Sequence, residues 1–183
     1  MTELIVHRLI YLTGFVGSGK STLGALLSDA FSWEFLDLDR LIEAEIRKPI
    51  PYIFQQDGEW VFRDVESEIL QRLSRLEKKV VALGAGTIVN PLNLQTVKNS
   101  GILIYLQATP EEIFKRVATT PKRLLFFSPE GTAPLSDSEL LKRIRYFMAL
   151  RTPAYEKADF RVETTGKSIE AVLEELIGQL KLK

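Results

Sequence analysis

The feature that most constrains this chain is a glycine-rich loop at residues 14–22, with the sequence GFVGSGKST. It fits the pattern GxxxxGK[ST], in which backbone N–H groups surround phosphate oxygens, a lysine reaches the outer phosphates and a hydroxyl holds Mg²⁺. An apolar run precedes the loop, and apolar residues at helical spacing follow it, as the motif requires. The helix would turn the positive end of its dipole toward the phosphates. The nucleotide-binding residues predicted here are Gly17, Ser18, Gly19, Lys20, Ser21 and Thr22.

Composition narrows the classes of protein that fit. The 183 residues suit one domain, spanning 1–183, and the 24 basic and 24 acidic side chains give a formal net charge of zero. That balance argues against a nucleic-acid partner bound through bulk charge. The absence of cysteine excludes disulfides and thiol catalysis, and the single histidine, His7, lies before the first predicted strand. With no signal peptide and no run of membrane-spanning length, we expect a cytoplasmic protein without a membrane partner.

Apolar runs typical of strands alternate with helical patterns, which predicts an α/β fold with a parallel sheet. Five strands are expected, at about 8–14, 34–39, 80–83, 101–106 and 160–163, with clear helices at about 20–31 and 168–180. Two segments are too long to be plain connections. One, at about 40–66, is expected to be a substrate-binding insertion beside the phosphate loop, as substrates bind at this edge of open sheets. The other, at about 119–137, is rich in proline and glycine and is predicted to be a mobile lid, although a simple surface insertion has the same composition.

Several side chains could carry chemistry, each with a plainer alternative. Asp37 and Asp39 are two residues apart at the end of the second predicted strand, so both should share one face; they could also be solvated acids. Arg63 and Glu66 are neighbours on a predicted helix, where Glu66 could orient Arg63 toward an anionic group. An exposed helical ion pair is the plainer interpretation.

Two more stretches leave the choice open. Residues 83–86 (LGAG) follow the third strand, where small residues allow a ligand to approach the backbone, although a simple turn is equally compatible. Arg151 lies at the predicted end of a helix that begins near Asp137. A cation at that position is common for reasons of the helix dipole alone.

Taken together, these pieces resemble the shikimate kinases, small P-loop kinases related in fold to nucleoside monophosphate kinases. The resemblance runs from the first strand to about Tyr155. Its parts, in order, are the loop at 14–22, Asp37-Leu38-Asp39, Ile42-Glu43, Ile53-Phe54, Gly58-Glu59, Phe62-Arg63, Glu66, LGAG at 83–86, Arg123-Leu124-Leu125 and RTPAY at 151–155. It implies a three-layer α/β/α fold with a five-stranded parallel sheet in the order 2-3-1-4-5.

The resemblance also implies roles for matching positions. Asp39 would bind the ring hydroxyls of shikimate and accept the proton of the 3-hydroxyl. Arg63, Arg151 and the backbone N–H of Ala85 would bind the shikimate carboxylate. Ile50, Phe54 and Phe62 would form the apolar wall of that site.

On the nucleotide side, the resemblance implies that Ser21 and Asp37 hold Mg²⁺, Asp37 through water. Lys20 and Arg123 would neutralise charge on the transferred phosphoryl group, and Arg116 would lie against the adenine. The chain departs from the family pattern at Ala85, where a glycine is usual, at Leu124 in place of proline, at Arg47 in place of glycine, and in its longer lid.

The expected activity is ATP-dependent phosphorylation of shikimate to shikimate 3-phosphate, in aromatic amino acid biosynthesis, by a monomer. Two alternatives remain at this point. One is another small-molecule kinase of the same fold, such as a gluconate kinase. The other is a binding protein that keeps the fold but has lost catalysis, although every group the chemistry needs is present in the sequence.

Overall fold

A five-stranded parallel sheet forms the centre of the molecule. The structure is a computed structural model that describes residues 9–118 and 135–181. The strands are β1 (Leu9–Thr13), β2 (Glu34–Asp37), β3 (Lys79–Ala82), β4 (Ile102–Gln107) and β5 (Phe160–Glu163). They are hydrogen-bonded in the order β2-β3-β1-β4-β5, and all neighbours run parallel, which confirms the predicted order.

Helices supply the crossovers that parallel strands need. They are α1 (Lys20–Phe31), α2 (Leu38–Ile46), α3 (Ile50–Tyr52), α4 (Glu59–Leu73), α5 (Pro91–Ser100), α6 (Pro110–Val117), α7 (Asp137–Tyr155) and α8 (Ile169–Lys181). A π-helical turn, Ile53–Asp57, joins α3 to α4. The side chain of Ser168 accepts a hydrogen bond from the backbone of Ala171, as expected for the cap of the last helix. None of the helices in the described part of the chain is long and apolar enough to cross a membrane.

The alternation of side chains along β1 divides the core into two layers. Leu9 and Tyr11 point into one layer with side chains of α4, α5 and α7, whereas Ile10 and Leu12 point into the other with α1 and α8. All four side chains are at most 2% exposed. The predicted α/β/α arrangement is therefore observed, with the central strand covered on both faces.

One local prediction is wrong. Asp39 was expected on the second strand, but β2 ends at Asp37, and Asp39 lies in the first turn of α2. The cause is a cap: the Asp37 carboxylate accepts a hydrogen bond from the backbone N–H of Arg40, so the helix begins at Leu38. The two acids consequently leave the backbone from different elements, although both remain at the carboxyl edge of the sheet.

Candidate active site

The phosphate loop connects β1 to α1 and packs tightly against β4 and α6. Gly14 has φ 142°, and a Cβ there would lie 2.5 Å from the carbonyl oxygen of Leu106 on the neighbouring strand. Gly17 has φ 80°, in the left-handed region, and a Cβ there would lie 2.7 Å from Val117. Both positions therefore require glycine. The Lys20 ammonium donates hydrogen bonds to the carbonyl oxygens of Gly14 and Phe15, at 2.9 and 3.0 Å, which holds it over the loop.

A hydroxyl and a carboxylate meet at the start of α1. Ser21 Oγ donates to Asp37 Oδ2 at 2.7 Å. The other oxygen of Asp37 caps α2 through Arg40, so its orientation is fixed by the fold. Oxygen ligands of this kind suit Mg²⁺, which is usually bound through one or two protein groups together with phosphate oxygens.

On the substrate side, a buried carboxylate organises the neighbouring arginine. Glu66 is 1% exposed and accepts hydrogen bonds from Arg63 Nη1 at 2.8 Å and from Thr87 Oγ1 at 2.6 Å. Glu59 also accepts from Arg63, at 3.0 Å. Burial disfavours the charged form of Arg63, but pairing with Glu66 and Glu59 outweighs it and raises the pKa of Arg63 above its ordinary value. The guanidinium is therefore a fixed positive charge.

The loop after β3 brings the acid and the arginine together. A Cβ on Gly84 would lie 2.9 Å from Asp39 Oδ1 and 3.1 Å from Glu66 Oε1, and a Cβ on Gly86 would lie 2.9 Å from Arg63 Nη2. These approaches are possible only because both residues lack a side chain. The small residues of this loop, which were predicted to let a ligand approach the backbone, thus also leave room for the side chains of Asp39, Glu66 and Arg63.

Arg151 lies on α7 and lines the same cleft. Its guanidinium carbon lies 5.5 Å from the ring centroids of both Phe15 and Phe147. One helical turn further on, the buried hydroxyl of Tyr155 donates to the carbonyl oxygen of Ala85 at 2.6 Å. Burial raises the pKa of Tyr155 well above its ordinary value, and the positive charge of Arg151 offsets only part of that increase. Tyr155 therefore stays a neutral donor and ties the end of α7 to the loop.

Arg116 occupies the opposite end of the site. Its guanidinium donates to Thr164, with Nη2 2.7 Å from the backbone carbonyl and Nη1 3.1 Å from the hydroxyl, and Nη1 also reaches the carbonyl of Gly17 at 3.4 Å. Glu112 accepts from its Nε at 2.9 Å. These contacts fasten Arg116 between the phosphate loop and the segment after β5.

A cleft of about 1150 Å³ connects these groups. The predicted site residues that line it are Gly17, Ser18, Gly19, Lys20, Ser21, Thr22, Asp37, Asp39, Arg63, Ala85, Arg116 and Arg151. The three apolar residues predicted to wall the site, Ile50, Phe54 and Phe62, also line it, and the rings of the two phenylalanines lie 5.0 Å apart. Arg123 and most of the predicted lid lie outside the described residues.

Sequence reasoning missed several residues of this site. Thr87 donates a hydrogen bond to Glu66, and Thr164 accepts one from Arg116. Tyr155, which bonds Ala85, was predicted only as part of the RTPAY motif. Arg143 lines the cleft and lies 5.9 Å from the Phe147 ring, two helical turns before Arg151. The spacing of Arg143, Phe147 and Arg151 by four residues on one helix is the only signal that could have found this set.

A phosphate loop at the carboxyl edge of a parallel sheet, facing a second pocket of acids and arginines, defines a P-loop kinase. Within that class the chain belongs to the shikimate kinase family, whose sequence model matches residues 16–181.

Individual relatives agree with this membership. A shikimate kinase from Chlorobaculum tepidum is 41% identical over 96% of this chain and 91% of that protein, and one from Caldanaerobacter subterraneus is 36% identical over 95% and 97%. The shikimate kinase of Acinetobacter baumannii, solved in complex with shikimate, superposes with a TM-score of 0.85 at 30% identity, covering 97% of each chain. A gluconokinase from Sinorhizobium meliloti shares the fold, with a TM-score of 0.58 at 17% identity.

Proposed function

We propose that this protein transfers the γ-phosphoryl group of ATP to the 3-hydroxyl of shikimate, giving shikimate 3-phosphate and ADP. The observation that carries the proposal is the arrangement of the cleft. The Lys20 loop stands at one part of it, while Asp39, Glu66 and Arg63 surround the Gly84–Gly86 segment at another. One cavity thus presents a phosphate donor site to a pocket suited to an anionic polyol.

Binding of the acid would depend on two guanidinium groups. Arg63 and Arg151 would take the carboxylate of shikimate, with the backbone N–H of Ala85 as a further donor, because an arginine can give a carboxylate two parallel hydrogen bonds. Glu66 supports this role, since it holds Arg63 in its charged form and orients it from the buried side. Two charges on one carboxylate would set which hydroxyl faces the phosphoryl group, which is an effect of proximity.

Phosphoryl transfer asks mainly for positioning and for stabilisation of charge. Asp39 would orient the 3-hydroxyl and accept its proton. Lys20 would stabilise charge on the transferred group, and Arg123 is proposed to do so as well.

Mg²⁺ is proposed to bind at Ser21 and Asp37. The pair offers one hydroxyl and one carboxylate within 2.7 Å of each other, and this hard oxygen set fits a cation that takes its other ligands from phosphates and water. When bound, the ion would neutralise phosphate charge. Ser21 and Asp37 would fix its place relative to Lys20.

We propose one kinase domain over 1–183 that acts as a cytoplasmic monomer, with no nucleic-acid or membrane partner, a substrate-binding insertion at about 40–66 and a lid at about 119–137. Arg116, held by Thr164, would face the adenine. Light scattering after gel filtration tests the oligomeric state, and a dimer mass would contradict it.

The activity is tested by coupled ADP release with shikimate and with gluconate. We expect turnover that requires shikimate and Mg²⁺, with gluconate at background. Turnover with gluconate alone would contradict the substrate assignment. Tight binding of nucleotide and shikimate in calorimetry without turnover would instead support an inactive binding protein.

A further inference from the structure

The guanidinium of Arg151 is held against aromatic rings from two different elements. Phe147 precedes it by one turn of α7 and therefore moves with it, whereas Phe15 is the second residue of the phosphate loop. Both ring centroids lie 5.5 Å from the guanidinium carbon, within the range of a cation–π interaction. Phe15 is thus the ring that connects Arg151 to a part of the molecule outside its own helix.

Burial makes the contact with Phe15 rigid. The Phe15 side chain is 2% exposed and belongs to the larger apolar layer, so its ring cannot follow a moving arginine. The backbone beneath it is equally constrained, because the carbonyl of Phe15 accepts from Lys20 at 3.0 Å and from the backbone N–H of Ser18 at 3.1 Å. A flexible arginine side chain would otherwise have many rotamers to lose on binding a carboxylate.

Arg143 and Tyr155 are two further neighbours of this group of side chains. Arg143 lies 5.9 Å from the Phe147 ring, so that ring has a second guanidinium near it. Tyr155, which interacts with Arg151, is fixed by its 2.6 Å hydrogen bond to Ala85. Arg151 is therefore bordered by rings of the phosphate loop and of α7, and by a tyrosine that is hydrogen-bonded to the loop after β3.

We infer that Phe15 is a positioning residue, which sets Arg151 relative to the phosphate loop and so sets the substrate carboxylate relative to the phosphoryl donor. The inference rests on the proposed role of Arg151 in binding shikimate. The loop that would hold the ATP phosphates would then also fix the acid clamp, through a ring that need not touch either substrate.

The test is a set of kinetic measurements on the full chain. Phe15→Leu keeps an apolar side chain but removes the ring, and we expect the KM for shikimate to rise about 3- to 10-fold, as loss of a partly buried cation–π contact implies. The KM for ATP should stay within about twofold of wild type on the same basis, whereas kcat should fall, because a displaced carboxylate misplaces the hydroxyl that faces the phosphoryl group. The matched control is Phe31→Leu, at the far end of α1, which should change neither KM.

A double-mutant cycle separates positioning from general packing. Arg151→Ala alone should raise the KM for shikimate, and Phe15→Leu should add nothing further in that background. Full additivity, or an equal rise in both KM values, would overturn the inference and leave the proposed activity standing. If Arg151→Ala leaves the KM for shikimate unchanged, the proposed role of Arg151 fails, and the inference fails with it.

A second variant tests the charge distribution of the ring while keeping its shape, so that the protein should still fold. Replacing Phe15 by pentafluorophenylalanine retains the ring and nearly its volume but reverses the charge distribution of its face. We expect a raised KM for shikimate with an unchanged thermal unfolding midpoint. An unchanged KM would show that the ring acts only by packing and would overturn the inference.

Discussion

Asp39 is the side chain on which the proposed chemistry depends most. Asp39→Asn retains the shape and can still bind a hydroxyl, but it cannot accept the proton. We expect turnover to fall by about 10²- to 10⁴-fold, the usual contribution of a general base. ADP release would measure this loss, and calorimetry should find nucleotide affinity nearly unchanged. The exposed Asp64→Asn on α4 is the control; a rate near wild type for Asp39→Asn would show that the base is another group.

Unlike its neighbour Ala85, which already carries a methyl group, Gly84 has no room for a side chain. A methyl group there would press on Asp39, Thr87 and Glu66 at once, at 2.9 to 3.1 Å. We expect Gly84→Ala to reduce kcat/KM for shikimate by at least about 10²-fold, because small displacements of positioned groups are that costly. Ala85→Gly should keep activity within a few-fold. Comparable losses from the two substitutions would contradict this difference.

The buried Tyr155 should make the free energy of unfolding depend on pH in the alkaline range. Its pKa is raised in the folded state, so above the ordinary value of 10.0 the unfolded chain loses a proton that the folded protein retains. The free energy of unfolding should therefore fall as pH rises from 10, by up to about 1.4 kcal/mol per pH unit for this group. Urea unfolding between about pH 9.5 and 11.5 should give a shallower fall for Tyr155→Phe. Tyr11 and Tyr105, whose pKa values burial also raises, should make the free energy of unfolding fall with rising pH in both proteins.

At the scale of elements, α2 ends in an unfavourable backbone conformation. Its C-cap, Arg47, has φ 60° and ψ 32°, in the left-handed region that costs a non-glycine residue about 1 to 2 kcal/mol. Glycine at this position would avoid that cost, but it would also increase the conformational entropy of the unfolded chain, which offsets part of the stabilisation. Arg47→Gly should therefore raise the free energy of unfolding by about 0.5 to 1 kcal/mol, measured by urea denaturation.

A second glycine substitution in the same helix controls for composition. Ala44→Gly, at an exposed interior position of α2, should lower the free energy of unfolding by about 1 kcal/mol. If both substitutions destabilised the protein, the conformation of Arg47 would not be the cause.

Elements also show where sequence reasoning succeeds and where it stops. The phosphate loop was predictable because its chemistry lies within nine consecutive residues. The predicted position of Asp39 was wrong because of a single side-chain cap. Asp37 accepts a hydrogen bond from the backbone N–H of Arg40, which ends the strand and starts a helix. The contact of Phe15 with Arg151 joins residues that no local pattern relates. The resemblance indicated which residues belong to the site, but not which neighbours hold them in place.

Viewed as a whole, the sheet carries a second apolar layer on the face that α1 and α8 cover. Leu176 is fully buried in that layer, among side chains of β1 and β4. Leu176→Ala should lower the free energy of unfolding by about 2 to 5 kcal/mol through the lost burial and the cavity. At temperatures where the variant is folded, both KM values should stay at wild-type levels. A selective change in either KM would show that the two layers are energetically coupled.

The strand order also has a consequence during synthesis on the ribosome. β1 is made before the other strands, yet its partners are β3 and β4, and about 66 residues separate Thr13 from Lys79. At about 5 to 20 residues per second, the apolar side chains of β1 wait on the order of 3 to 13 s for the first of them. Throughout that interval β1 cannot form the strand pairs that it has in the folded sheet. Chaperones that bind short apolar segments would find one in β1 during that interval.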